Sequence, residues 1–281
     1  MAAVGETFTK KLFSFYIPLV FFTILMLFPF YWMFITSIKP NRELYNVKSL
    51  PFWVFNPTLE HWKYLFKNTL FTRWALNTLF ISIVSTAISL ISGIMAGYAL
   101  SRLRFKGASA LGIAIFITYL VPPTLLFIPL AEVVHNFNLL DTPWALILTY
   151  PTFLIPFCTW LLSGYFKTIP KELEECARID GATRLQAMIW IILPLATPGI
   201  LSAGMFAFTL SWNEFIYALV FLSSPTQKTI PVGVVSELIK GDVFFWGSLM
   251  AGALFGSIPV ALIYSFFVEH YVTGLTGAVK G

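Results

Sequence analysis

The sequence predicts an all-α membrane protein with six transmembrane helices. Two observations carry this. Hydrophobic residues make up 58% of the 281 residues and charged ones 11%, with a mean hydropathy of +0.80, whereas soluble domains hold about 25% charged residues. The apolar residues also fall into six runs, at 12–38, 76–101, 110–131, 143–166, 194–222 and 247–268. Each is long enough to supply the about 20 residues with which a helix crosses a bilayer core. Little length is left for a soluble domain, so residues 1–281 read as one membrane domain.

The first run follows Lys10 and Lys11, as a signal peptide would. It is much longer than an apolar segment of about 7–15 residues and no small-residue cleavage site follows, so it is read as a retained span. The loop at 39–75 carries Pro51, Pro57 and an amphipathic segment at 59–74, expected along the outer membrane surface. Small residues recur every fourth position in the second run (Ser85, Ser89, Gly93, Gly97), the fifth (Gly199, Ala203, Ala207, Ser211) and the sixth (Gly252, Gly256). That spacing lets backbones approach, though small residues are also simply common in membrane helices.

An even number of spans puts both ends on one side. Cytoplasmic termini place ten Lys and Arg inside and eight outside. The short loop 101–107 carries three of the ten, while 132–142 has Glu132 and Asp141 but no Lys or Arg. The positive-inside bias therefore favours cytoplasmic termini in an inner (plasma) membrane.

Several classes drop out. The net charge of +5 is spread through loops without a basic, aromatic-laced stripe, so nucleic acid is not an expected partner. Cys158 and Cys176 form no disulfide or metal motif, and His61, His135 and His270 are scattered, so no metal is expected and the histidines read as interfacial. Gly107 and Gly112 have phosphate-loop spacing, but Ile113 and Ala114 replace the required Lys and Ser/Thr, so this chain is not expected to bind ATP. No nucleophile–base constellation or carboxylate pair is visible, so no catalytic residue is assigned.

The loop at 167–193 is the most informative stretch. Pro170 suits a first helical position, and Glu172, Glu174 and Glu175 complement the helix dipole in the first turns. Gly181 permits the left-handed geometry that ends a helix, and 182–192 can form a second one before Pro194. Such a helix-turn-helix is either a rigid knob with Ala177, Gly181 and Ala182 near its tip, or an interfacial linker; the residues alone permit both. In the fifth run, Trp212, Asn213 and Glu214 form a polar cluster. A carboxylate at the bilayer centre costs about 2.5–3.5 kcal/mol, so Glu214 is expected to face a cavity or a partner. It reads as lining a solute path, as an internal hydrogen bond, or as lying near the interface.

Glu175-Cys-Ala177, Asp180-Gly181-Ala182 and, after a fixed spacer, Leu193-Pro194 resemble the "EAA" loop of binding-protein-dependent ABC importer permeases. Cys176 stands where the family usually has Ala and Met188 where Phe is common. The likeness extends to Pro57-Thr-Leu-Glu60, Asn77-Thr78, Ala96-Gly-Tyr-Ala-Leu-Ser-Arg102 and Gly274-Leu-Thr-Gly-Ala-Val-Lys-Gly281, and is greatest to the shorter subunit of the maltose-type carbohydrate branch.

The resemblance implies a type I-like importer permease with a cytoplasmic coupling helix and no enzymatic activity of its own. Its partners would be a second, homologous permease subunit, two ATPase subunits holding ATP and Mg, an external (periplasmic or extracellular) solute-binding protein, a carbohydrate-like solute and the bilayer. It assigns ATPase coupling to Glu175, Ala177, Arg178, Asp180, Gly181 and Ala182, and a C-terminal ATPase contact to Thr276, Gly277 and Lys280. The alternative is an ion-coupled secondary carrier, which needs charged residues in several spans; Glu214 alone qualifies clearly.

Overall fold

A computed structural model describes residues 8–277. Apart from two four-residue helical turns, Phe8–Lys11 and Asn41–Leu44, the helices in chain order are α1 (Leu12–Ile38), α2 (Glu60–Asn68), α3 (Phe71–Arg102), α4 (Ala108–Leu120), α5 (Pro123–Asn136), α6 (Pro143–Thr168), α7 (Glu172–Ile179), α8 (Arg184–Leu195), α9 (Thr197–Trp212), α10 (Ile216–Phe221), α11 (Ile230–Leu238) and α12 (Trp246–Gly277). A two-stranded antiparallel hairpin, β1 (Ile239–Lys240) and β2 (Val243–Phe244), precedes α12, pairing Ile239 with Phe244.

Among the described residues, α1, α3, α6 and α12 are single helices long and apolar enough to cross a membrane. The expected third and fifth spans are bent pairs: α4 and α5 meet at 97°, and α8 and α9 at 78°. Prolines cause both breaks. Val121 is extended ahead of Pro122-Pro123, because a residue before proline is driven out of helical geometry. Ala196, at φ −87° and ψ 0°, precedes a helix with Pro198 in its first turn. Two further prolines, Pro18 and Pro194, each follow a five-residue π-wound stretch, Leu12–Tyr16 and Met188–Ile192. Local widening accommodates a ring that clashes with the preceding turn and donates no hydrogen bond.

The described residues divide into two compact units, 8–69 with 234–257, and 70–233 with 258–277. In the first, Lys39 is buried and its Nζ donates to Leu50 O (2.8 Å) and Pro51 O (3.3 Å). His61 is also buried, 2.9 Å from Lys39 O, rather than interfacial. A Cβ on Gly247 would lie 2.3 Å from its ring, so the histidine fills a space that only glycine leaves. The expected surface segment 59–74 is divided: α2 ends at Asn68, Thr69 is extended, and Phe71 and Trp74 belong to α3 and are buried.

The second unit is built on α3 and α6. The predicted small-residue stripe of α3 is buried, and it brings the two backbones together. A Cβ on Gly93 would sit 2.5 Å from Cys158 Cβ, and one on Gly97 3.1 Å from Ser163 N. The stripe of α9 is buried as well, with Gly199 against the Tyr165 ring. At its start, α3 holds the segment after α10: Trp74 Nε1 donates to Pro225 O (2.7 Å), Asn77 Nδ2 to Thr226 O (2.9 Å) and Lys228 O (3.0 Å), and Ile230 N donates to Thr78 Oγ1 (2.8 Å).

Asp141 fixes that segment from the other side. It stands at φ +60°, accepts from Ser223 N (3.0 Å), Ser224 N (2.8 Å) and Ser224 Oγ, and donates its own N–H to Phe221 O (2.8 Å). Burial pushes its carboxyl pKa up, but the Ser224 hydroxyl and the two backbone donors outweigh this and hold it below the ordinary 3.8.

Candidate functional site

The loop after α6 folds as a helix-turn-helix, with boundaries shifted from those expected. Ile169 is extended ahead of Pro170, and α7 begins two residues after the proline, at Glu172. The backbone N–H groups of Glu174 and Glu175 close the first turn on Lys171 O at 3.1 Å each. Glu172, Glu174 and Glu175 face the positive end of the dipole, and Arg178 the negative end.

The helix ends in a Schellman turn. Gly181 N donates to Arg178 O (3.2 Å) and Ala182 N to Ala177 O (3.0 Å), with Gly181 at φ +94°. Nothing lies within 4 Å of where a Gly181 Cβ would be, so the backbone angle, not crowding, requires the glycine. The second arm starts at Arg184 rather than 182, because Thr183 forms a capping box with Gln186. The Thr-x-x-Gln spacing of that box was present in the sequence.

This knob has a fixed root and a bare tip. Met188 and Ile192 of the second arm are buried in one cluster with Phe166 and Ile169 at the end of α6. At the root of α7, Tyr98 Oη donates to Glu174 Oε1 at 2.6 Å. Arg102 Nη2 donates to Phe166 O and Ile169 O, both at 2.7 Å, and its Nε lies 4.0 Å from Glu174 Oε2. At the tip, Ile179 is 83% and Leu185 62% exposed, two apolar side chains beside a charged helix. Of the expected coupling residues, Glu175, Arg178, Asp180 and Gly181 are exposed, with Ala177 and Ala182 half-buried beneath them.

Between root and tip lies a cavity of about 240 Å³ lined by Arg102, Arg104, Lys171, Glu174, Glu175, Arg178 and Arg184. A larger apolar cavity of about 760 Å³, among Leu100, Ile113, Phe116, Trp160 and Gly199, holds none of the expected site residues. Of the expected C-terminal contact, Thr276 and Gly277 close α12, and Lys280 lies outside the described residues.

The polar cluster of the fifth run straddles a helix end, with Trp212 inside the helix and Asn213 and Glu214 beyond it. α9 stops at Trp212 and α10 starts at Ile216, so Asn213, Glu214 and Phe215 form a break. Glu214 closes it: Oε1 accepts from Tyr217 N (2.8 Å), and Oε2 from Ala218 N (3.1 Å) and Tyr150 Oη (2.9 Å). The carboxylate thus satisfies donors that the first turn of α10 leaves unpaired, which is how it is tolerated among apolar helices. Trp212 is 4% exposed and stacks on Phe208 at 5.4 Å, while Asn213 is exposed and donates to Thr209 O (3.0 Å).

Comparison with known proteins bears on this arrangement. The family described as the binding-protein-dependent transport system inner membrane component matches residues 89–276, which takes in α7, its root and the α9–α10 break. The chain belongs to this family.

Similar permeases span nearly the same length. The inner membrane ABC transporter permease protein YcjP of Escherichia coli K12 is 37% identical over 95% of this chain and 96% of its own. The sulfoquinovosyl glycerol transport system permease protein SmoH of Agrobacterium fabrum C58 is 37% identical over 91% and 89%. The trehalose transport system permease protein SugB of Mycobacterium tuberculosis is 36% identical over 91% and 93%. The fold resembles that of a chain in a bacterial ABC transporter involved in the import of the acidic polysaccharide alginate, at a TM-score of 0.79 and 21% identity, over 96% of this permease and 100% of that chain. The permease is thus a multi-pass membrane component of an ABC importer and not an enzyme, ATP hydrolysis belonging to partner subunits; no finding supports an ion-coupled carrier.

Proposed function

We propose that this permease is one of two homologous membrane subunits of an importer for a carbohydrate-like solute, and that α7 with its Gly181 turn is the point at which the ATPase acts on it. The observation that carries the reading is the contrast between a root buried in the membrane body and a tip presenting Ile179 and Leu185 to solvent. Exposed apolar groups of this kind have a use when a partner covers them.

In this reading Glu175, Ala177, Arg178, Asp180, Gly181 and Ala182 meet one of two ATPase subunits, which bind ATP and Mg, and Thr276, Gly277 and Lys280 meet the ATPase pair near its junction. Both termini are cytoplasmic in the inner membrane. A solute-binding protein docks on the opposite face, where Asp141 and Asn77 fix the 221–230 segment. Along the solute path Asn213 offers an exposed amide, and Trp212 and Glu214 hold the break that presents it.

The carbohydrate class is supported by relatives named for sulfoquinovosyl glycerol, diacetylchitobiose, trehalose and galactooligosaccharides. ATP binding in the partners draws the knobs together and switches the bundle from inward to outward access. The test is uptake of radiolabelled trehalose and galactooligosaccharide into proteoliposomes holding the complete complex, its binding protein and ATP, against vesicles holding this chain alone. Uptake or ATP hydrolysis by the chain alone would refute the reading; uptake confined to the complete system is the expected result.

A further inference from the structure

Three side chains outside the expected coupling set meet at the root of α7. We propose that Tyr98, Arg102 and Glu174 are positioning residues that lock α7 to α3 and α6, so that a displacement of the knob becomes a displacement of the membrane helices. This proposal rests on the coupling reading given above and adds the linkage through which that coupling would act.

Glu174 differs from its neighbours. Glu172 and Glu175 are exposed, whereas the Glu174 side chain is 12% exposed and turned toward the membrane body. Its two oxygens face different groups, Oε1 accepting the 2.6 Å bond from Tyr98 and Oε2 facing Arg102. A hydroxyl donating to a carboxylate at that distance is among the stronger hydrogen bonds proteins make.

Arg102, the last residue of α3, has a side chain only 2% exposed. Its Nη2 bridges Phe166 O and Ile169 O, carbonyls at the end of α6. The last turn of a helix leaves such oxygens without internal partners, and its dipole favours a cation there. Nε and Nη1 of the same guanidinium are buried without a hydrogen-bond acceptor, leaving Glu174 as the nearby counter-charge. Removing Glu174 would strand a buried cation.

One guanidinium therefore joins the end of α3 to the end of α6, and one carboxylate hangs the first turn of α7 on two side chains of α3, reaching α6 only through Arg102. Without it, α7 follows α6 through the short Ile169-Pro170 link and continues into its second arm through the Gly181 turn. The lengths of these connections fix where α7 can reach; Tyr98, Glu174 and Arg102 fix its direction.

The test uses the complete importer, purified with its ATPase and permease partners, in a Cys176→Ser background with spin labels at Met95→Cys on α3 and Leu173→Cys on α7, both exposed positions. The label-to-label distance is read with and without MgATP. With the linkage intact α7 and α3 move together and the distance holds; in Tyr98→Phe and Glu174→Gln the distance shifts or broadens on adding MgATP. Loss of a hydrogen bond to a charged group also changes the occupancy of the locked arrangement by about tenfold, so the ATPase stimulation by loaded binding protein should fall by a similar factor. The Tyr98→Phe/Glu174→Gln pair should be no worse than Glu174→Gln alone, because the two share one bond. Arg102→Lys keeps charge but loses the bidentate bridge, and should behave as Glu174→Gln does.

A distance unaffected by the variants, or one that shifts equally in the unaltered linkage, overturns the proposal. Tyr98→Phe decides alone if the other variants fail to assemble, since it removes one oxygen. In a separate preparation of the importer that keeps Cys176 and carries no spin label, thiol labelling of this exposed cysteine on α7 separates this outcome from failure of the coupling reading. Protection of Cys176 on assembly with the ATPase subunits, with a distance that ignores the variants, refutes the linkage only. Absence of protection refutes the coupling reading and the linkage with it.

Discussion

Replacing Gly181 tests whether the knob is shaped by backbone geometry or by what touches it. Gly181 sits at φ +94°, and the Cβ of any other residue would meet nothing within 4 Å. Gly181→Ala therefore adds no clash inside the chain and costs only the left-handed conformation, about 1–2 kcal/mol for a residue with a Cβ. That depletes the closed Schellman turn by about 5–30-fold, loosening the bonds from Gly181 N to Arg178 O and Ala182 N to Ala177 O. Gly181→Asn, whose side chain tolerates this region, should lose a fraction of that amount, and the β-branched Gly181→Val more. The series is read as solute uptake per ATP hydrolysed by the complete complex in proteoliposomes, with ATPase co-purification as the assembly control. Activity should fall in the order Gly, Asn, Ala, Val. Gly181→Arg, which adds bulk and charge, should uncouple uptake from hydrolysis more completely than any of them. The backbone argument is refuted if Ala behaves like Gly while Asn and Arg fail in order of size, because the tip would then be limited by its partner's surface.

Three other perturbations probe the body of the permease. In Gly93→Ala the new Cβ lies 2.5 Å from Cys158 Cβ, so α3 and α6 must part; thermal unfolding in detergent should show a loss of about 1–3 kcal/mol, relieved in part by adding Cys158→Gly. Glu214→Ala removes the acceptor of Tyr217 N, Ala218 N and Tyr150 Oη; a lost cap and an unpaired buried hydroxyl should cost about 2–4 kcal/mol, a melting loss that Tyr150→Phe reduces. For Asp141 the folded carboxyl titrates below its ordinary 3.8, so its contribution is complete above that value and disappears as pH falls through the lower folded value. The melting-temperature gap between the parent and Asp141→Asn should be constant at neutral and mildly acidic pH and close below 3.8; a gap that widens on acidification would contradict this sign.

What could be read from the sequence depended on how local its cause was. Runs such as 12–38 and 143–166 fixed four spans because continuous apolarity is itself the reason a helix crosses lipid. The bends at Val121 and Ala196 escaped that reading, since hydropathy averaged over a window does not register direction; the signals were Pro122-Pro123 and Pro198. Averaged hydropathy places Glu214 inside a span for the same reason, whereas the adjacent polar pair Asn213-Glu214 marks the helix break. The Gly181 turn was legible because a glycine followed by a new helix is local chemistry. Tyr98 and Arg102 were legible only as parts of a motif, because their partners lie 64 to 76 residues away, and nothing in an aromatic near a helix end announces a carboxylate on another element.

The hydrogen bonds at the two ends of α3 have a joint mechanical meaning. Near its start, Asn77 and Thr78 grip the 226–230 segment, and near its finish Tyr98 grips Glu174. About 32 Å of helix separates Asn77 from Tyr98, and along that length Gly93 and Gly97 seat α3 directly on the backbone of α6, with no long side chains between them to yield. Such a strut tilts or slides as a unit and transmits little by bending. Work done on either end is felt at the other, and by thermodynamic reciprocity a ligand favouring one pose of the 226–230 segment must alter the energy of poses at Glu174 by the same amount. One face of the membrane can read the other through a single helix.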